Sequence, residues 1–327
     1  MLNDVAEVAM NGRIPQKTWL VVALALLLQT GCATVTERGN SILPTQFTTR
    51  TGPYIISTNY PLATDDDVVK QLVSLRTEVE DKLGLRVDDS EHKIEVYILS
   101  DRKTYEHFLK FYYPELPQRR AFFIANGDRR VVYTFKGDRL EEDVRHEATH
   151  ALLNLAIGEI PLWLDEGLAE YFEAMSPTGL NREHLAKLPE DQADGWVPNL
   201  KRLESLKSVR EMTPRDYREA WAWTHFLLQD HSGGYAALLS YLGELRSKDE
   251  PKALSGRLAL SPEKESSILV AHIAKLEKPK QDKDKIATTA PTLRLQNVPL
   301  EIEPLESHTA AKKRSVLQRF FGRLLPF

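Results

Sequence analysis

The chain of 327 residues is 42% hydrophobic and 28% charged, values of an ordinary globular protein that exclude a disordered or fibrous one. A formal net charge of −4 leaves no basic footprint for nucleic acid. The one cysteine, Cys32, excludes a disulfide framework and, lying in the leader, excludes cysteine catalysis.

Trp19 to Leu28 is an unbroken apolar run of ten residues, preceded by Arg13 and Lys17. A bilayer span takes about twenty such residues, so the run reads as the hydrophobic segment of a signal peptide. Asp4 and Glu7 do not suit a basic leader, whereas a start at Met10 leaves a purely basic one, so Met10 is the expected initiator. Gln29-Thr-Gly-Cys32 resembles the bacterial lipobox, with Gln29 standing where leucine is usual. That resemblance implies cleavage before Cys32 and lipidation of its thiol. Ala33 after the cysteine resembles outer-membrane sorting in Gram-negative bacteria. The expectation is a lipoprotein signal peptide at 1–32, a tether at 33–50, and a lipid-anchored chain on the periplasmic face of the outer membrane.

Tyr54-Ile-Ile-Ser57 reads as a strand. Val68, Val69, Leu72, Leu75, Val79 and Leu83 recur at helical spacing, and Gly84 closes that helix. Lys93 to Leu99 reads as a second strand, and Asp101 caps a helix running through Phe111. Ala121–Ala125 and Val131–Phe135 flank Asn126-Gly127, a hairpin signal. These elements make a small mixed sheet that leads directly into the next helix.

Asp138 followed by Glu141 reads as an N-cap with its capping-box partner, and Gly158 as a C-terminal stop. Leu140, Val144, Ala148, Leu152 and Leu155 form one apolar face of the helix between them; Leu153 and Ile157 add a second. A helix apolar on most sides is buried. Within it His146, Glu147 and His150 spell H-E-x-x-H. Residues four apart share a helix face, so the two histidines can hold one zinc ion. Glu147 lies about 100° further round, close enough to handle the proton of a water at the metal. The plain alternative is a pair of core histidines satisfied by neighbouring carbonyls.

Pro161 suits the first turn of a following helix, on which Glu166 and Glu170 fall at i and i+4. Two carboxylates so placed repel unless a cation or a charged donor sits between them. Zinc ligated by Glu166, with Glu170 accepting the free N–H of a ligating histidine, removes the conflict. A solvated acidic stripe is the alternative, although Trp163, Leu164, Leu168 and Phe172 make this helix largely apolar.

H-E-A-T-H followed by W-L-D-E-G-L-A-E-Y-F resembles the gluzincin zinc metallopeptidases, and is most like the bacterial peptidase MA-like domains. The resemblance implies His146, His150 and Glu166 as zinc ligands, Glu147 as general base and Glu170 as a carboxylate supporting a ligand. Tyr217-Arg-Glu-Ala220 resembles the helix opening Y-x-x-G/A. It implies that Tyr217 steadies the oxyanion, although a packing tyrosine fits the spacing equally. The connection between His150 and Glu166 is short, no G-x-M-E-N stretch precedes the zinc helix, and Leu153 and Ala156 replace the metzincin glycine and third histidine. Endo- and exopeptidase modes therefore both stay open. In related metallopeptidases a sheet edge near the site pairs with the substrate backbone; the 131–135 strand either does so here or simply covers the helix.

Pro177 to Pro198 reads as a polar loop with a short helix, in which Trp196 is an anchor rather than a cleft wall. Helices follow around 215–231, 234–247 and 262–277, packed by Trp221, Trp223, Phe226, Leu227 and Tyr235. His225 reads as a core histidine rather than a fourth ligand. Residues 279–327 read as a flexible linker ending in a basic stretch with Leu317, Phe320, Phe321 and Leu324 on one stripe. That stretch suits a helix lying on anionic lipid or docking on its own domain.

The expected fold class is α+β with a thermolysin-like gluzincin core at 51–278, a sheet lobe at 51–140 and a helical lobe at 141–278. The expected activity is an envelope-anchored, zinc-dependent peptidase acting on peptides or exposed protein segments. The alternatives are a zinc-binding scaffold lipoprotein without turnover and a metal-free adaptor.

Overall fold

Gly52-Pro53 turns the chain back on itself between β1 (Phe47–Thr51) and β2 (Tyr54–Thr58), with Gly52 at φ +50° where a side chain would be strained. The computed structural model describes residues 43–87, 94–116, 118–247 and 251–277. The leader with Cys32, the tether up to residue 42, and the linker and tail from residue 278 lie outside the described residues. The expected tether at 33–50 is corrected at its end, because β1 pairs with β2 from Phe47 onward. Phe47-Thr-Thr-Arg-Thr51 is an edge strand with little to bury, so no apolar alternation announces it.

Helix α1 (Asp67–Leu83) closes at Gly84, whose φ of 62° lets its N–H reach the Glu80 carbonyl. Strand β3 (Ile94–Leu99) precedes α2 (Arg102–Tyr112), capped by the Asp101 carboxylate accepting from the Thr104 N–H at 2.8 Å. Strands β4 (Phe122–Asn126) and β5 (Arg129–Phe135) form the hairpin, with Gly127 and Asp128 as turn residues, one place later than expected.

The five strands lie in the order β1-β2-β3-β5-β4; the outer pairs are antiparallel and the inner ones parallel. Of the two roles open for 131–135, a substrate-pairing edge or a cover for the helix, the first is ruled out. Strand β5 has β3 on one side and β4 on the other, leaving no free edge for a substrate, and β4 is the outer strand.

Alternation along β3 divides the sheet. Ile94, Val96 and Ile98, with Val132, join the core formed with α1 and the zinc-motif helix. Leu99, Val131 and Tyr133 face Tyr105, Phe108 and Leu109 of α2.

The zinc-motif helix α3 spans Leu140–Ala156, and its capping box is a second correction. The residue before it is Arg139, no side-chain cap is made, and Asp138 lies outside. Glu141, Glu142 and Asp143 instead suit the positive end of the helix, and Arg139 pairs with Glu142. Helix α4 (Leu162–Glu173) follows after a tight connection. Arg145, buried to 1% exposure, donates to the Phe172 carbonyl (2.7 Å), Gln71 (3.1 Å) and Glu78 (2.7 Å), tying α3 to α1 and to the end of α4.

The stretch expected as a loop with a short helix carries α5 (Arg182–Ala193), whose Asn181 cap accepts from the His184 N–H at 3.1 Å. Two short helices, α6 (Leu200–Ser205) and α9 (Leu254–Leu258), were not expected; neither is long enough to show a period. Helix α7 (Pro214–Gln229) opens on a Thr213/Asp216 capping box with Pro214 in its first turn, and α8 (Gly234–Arg246) and α10 (Pro262–Glu277) complete the helical part. Trp196 anchors its loop by donating to Glu219 at 2.8 Å. His225 sits in the core, its Nδ1 at 2.9 Å from His272 Nε2. A small mixed sheet followed by packed helices makes the fold class α+β.

Candidate metal centre

Helices α3 and α4 run antiparallel, since His150 meets Asp165 near the start of α4 while His146 meets Glu173 at its end. This hairpin brings the sequence-predicted ligands together. His146 Nε2 and His150 Nε2 lie 3.3 Å apart, and Glu166 Oε2 lies 3.6 Å from the first and 3.8 Å from the second. Ligand atoms about 2.0–2.2 Å from a tetrahedral zinc are about 3.3–3.6 Å from one another, so the triangle has nearly the edge lengths zinc requires.

Two further observations test the fit. Glu166 is 4% exposed, and among the described residues its Oε2 has no hydrogen-bond partner. An orphaned buried carboxylate oxygen facing two imidazole nitrogens is an arrangement a cation completes. The charge balance agrees. Burial works to lower the pKa of His150, yet Asp165 and Glu166 outweigh it and raise it to about 9. His146 is likewise held well above its usual value by Glu166 and Glu173 against burial. Glu166 is drawn down by both histidines and Arg119 although burial opposes it. The cluster is short of positive charge, and a divalent ion would displace the protons that the histidines otherwise carry.

Glu147 follows His146 on α3 and is itself buried. Tyr217, in the first turns of α7, accepts a hydrogen bond from Arg119 Nη2 at 3.2 Å. Its hydroxyl pKa is raised by burial and by the charge of Glu166, with Arg119 opposing, which sets it in the field of the centre.

Glu170 is placed otherwise than expected. Its carboxylate meets His184 Nε2 at 2.7 Å and Asn181 Nδ2 at 3.3 Å, and the residue on the free nitrogen of His146 is Glu173, at 2.8 Å from Nδ1. Helical geometry gives the reason. From Glu166, a step of four residues ends about 40° past one turn, whereas a step of seven ends only about 20° short of two. Glu173 therefore lies nearer the line of Glu166, two turns on, where antiparallel α3 presents His146. Asn181 bridges the pair, donating also to Glu173 at 3.0 Å. Burial and the neighbouring Glu170 push Glu173 up, while His184 holds Glu170 low against burial.

Asp165 supports the other ligand, with Oδ1 at 3.0 Å from His150 Nδ1. Five supporting residues, Asp165, Glu173, Asn181, His184 and Arg119, went unread in the sequence. Asp165 and Glu173 were within reach, as carboxylates flanking Glu166 on its own helix; the others come from separate elements and carry no local signal. Phe123 of β4 lies over His150, ring centres 6.4 Å apart and 17° from parallel, so the edge strand borders the centre.

Were zinc held by this triangle, Glu173→Ala would weaken its affinity by about 10–100-fold, the usual effect of removing a carboxylate behind a ligating histidine. Glu170→Ala should weaken it less. Competition titration with a chromophoric chelator measures both, and the reverse ranking would return the supporting role to Glu170.

Residues 142–251, from the first turn of α3 to just past α8, match the model of a family described as a protein of unknown function (DUF1570). No curated protein matches the chain.

Proposed function

We propose that the chain is a zinc-dependent peptidase, anchored in the bacterial envelope through Cys32, with His146, His150 and Glu166 as ligands and Glu147 as general base. The single observation that supports it most is the triangle of His146 Nε2, His150 Nε2 and Glu166 Oε2, with sides of 3.3, 3.6 and 3.8 Å. A bound zinc would polarise water and the scissile carbonyl.

The protein's own groups divide the remaining work. Glu147 takes a proton from the attacking water and returns it to the leaving nitrogen. Tyr217 donates a hydrogen bond to the carbonyl oxygen as negative charge develops there, keeping its own proton. Glu173 holds the His146 imidazole in the tautomer that turns Nε2 toward the centre, and the Asp165 charge stands beside His150 Nδ1. The outer edge of β4, next to Phe123, offers main-chain groups along which an extended substrate would add as a strand.

The deciding experiment is elemental analysis of purified 33–327 protein and of its His150→Ala variant. About one zinc per chain, lost on substitution, is expected. No zinc in either, after reconstitution with the metal, would overturn the reading.

A further inference from the structure

A cavity of about 150 Å³ is lined by Arg102, Tyr105, Glu106, Arg119, Arg120 and Phe135. Two of its arginines are already neutralised. Arg102 Nε meets Glu106 at 2.7 Å, and Arg120 grips both carboxylate oxygens of Asp143 at 2.7–3.0 Å. Arg119 differs. Its hydrogen bond goes to the neutral hydroxyl of Tyr217, and among the described residues it makes no ion pair. Its cavity neighbour Arg120 grips Asp143, one turn before Glu147 on α3, and Arg119 itself holds Tyr217, so this solvent-accessible side chain lies between the cavity and the elements that carry the candidate site.

Tyr105 gives a second, independent observation. The residue is 0% exposed, it lines the same cavity, and its hydroxyl has no hydrogen-bond partner among the described residues. Buried hydroxyls are ordinarily partnered, so this one points to a group that arrives from outside. A guanidinium with no carboxylate partner among the described residues and a spare hydroxyl, beside the ring of Phe135, offer the charge and the hydrogen bonds that a carboxylate takes.

We infer that this cavity receives a carboxylate of the substrate, gripped by Arg119, so that the centre selects peptides bearing an acidic group beside the bond to be cleaved. The inference rests on the hydrolytic reading of the centre. The carboxylate comes from an aspartate or glutamate side chain or from a free chain terminus, and Arg119 serves either.

Three pentapeptides separate these sources. The first is capped at both ends with glutamate among alanines. The second is capped with glutamine in its place, and the third has that same glutamine sequence with a free C-terminal carboxylate. Their affinities are measured by calorimetry on zinc-loaded Glu147→Gln protein, which does not consume them, and on the same protein carrying Arg119→Gln or Tyr105→Phe. At least a tenfold preference for the first or third peptide over the second is expected, with Arg119→Gln abolishing it and zinc content unchanged. The peptide preferred identifies the source of the carboxylate.

Equal affinities for all three peptides, or a preference that survives Arg119→Gln, would overturn the inference. An Arg119-dependent preference in protein that binds no zinc would keep the carboxylate site while removing the hydrolytic reading. Hydrolysis of the capped glutamine peptide as fast as the acidic ones would do the reverse.

Discussion

Glu147→Gln is expected to leave one zinc per chain and to lower hydrolysis by about 10²–10⁴-fold, the usual contribution of a positioned general base. The substitution keeps shape and hydrogen bonding but removes the ability to take a proton. The ligand triangle is built from His146, His150 and Glu166 without Glu147, so the metal has no reason to leave. Its neighbours would behave differently, since replacing His150 removes an atom of the triangle itself. Initial rates on one peptide, with zinc content measured on the same samples, separate the two roles. Loss of zinc from Glu147→Gln would make Glu147 a ligand, and undiminished rates would end its assignment as the base. A buried glutamate between the two histidines of the motif favours turnover over mere zinc binding, because a site that only binds the metal needs no base.

Gly167→Ala should disturb the packing of α4 on α7 at high cost. Helix α4 lies so close to α7 that a Cβ at this position would stand 2.3 Å from Thr224 Oγ1 and 2.6 Å from the Ala220 carbonyl oxygen. Overpacking of this kind costs about 1–3 kcal/mol. In a domain of this size each kcal/mol lowers the melting temperature by about 2–4 °C. Because one of the obstacles is backbone, a rotamer change cannot relieve the contact. Adding Thr224→Ala removes the nearer obstacle and should recover part of the loss, while the Ala220 carbonyl retains the rest. The preceding residue on α4 is Glu166, so a helix displaced from α7 also carries a proposed zinc ligand out of position. Thermal unfolding and zinc affinity should therefore fall together, and an unchanged melting temperature would show that the helices have room to spare.

These two residues differ in how readable they were. Glu147 stands out because H-E-x-x-H compresses the chemistry into one turn and a half of a single helix. Gly167 lies in the word W-L-D-E-G-L, whose Glu166 was expected as the third ligand and does lie beside His146 and His150. The glycine itself gave no reason for being there until α7 was laid against it. The supporting carboxylates repeat the contrast. Glu170 satisfied the four-residue rule on α4, yet the crossing of two helices handed His146 to Glu173 and left Glu170 to His184.

Similar reasons explain the rest of the fold. The end of α1 and the start of α2 were legible because Gly84 and Asp101 act on backbone groups within a few residues of themselves, whereas the Thr213-Pro214 start of α7 went unread. Expectations failed where the same local logic met a distant partner. Asp138 promised a cap that the chain did not use, and the polar strand β1 stayed hidden because β2 alone completes it. Strand β5 was recognisable as a strand, but nothing in its own residues placed it between β3 and β4.

Helical period, turn chemistry and the spacing of the candidate ligands on one helix are short-range properties, carried by residues three or four apart, and the amino-acid order alone reveals them. Which carboxylate backs which histidine, which strand keeps a free edge, and how Arg119 comes to face the centre depend on contacts between elements far apart in the chain. Those contacts follow from how whole surfaces pack, with helix crossing and strand order set by all the side chains at once, and so they become visible only when the chain is folded.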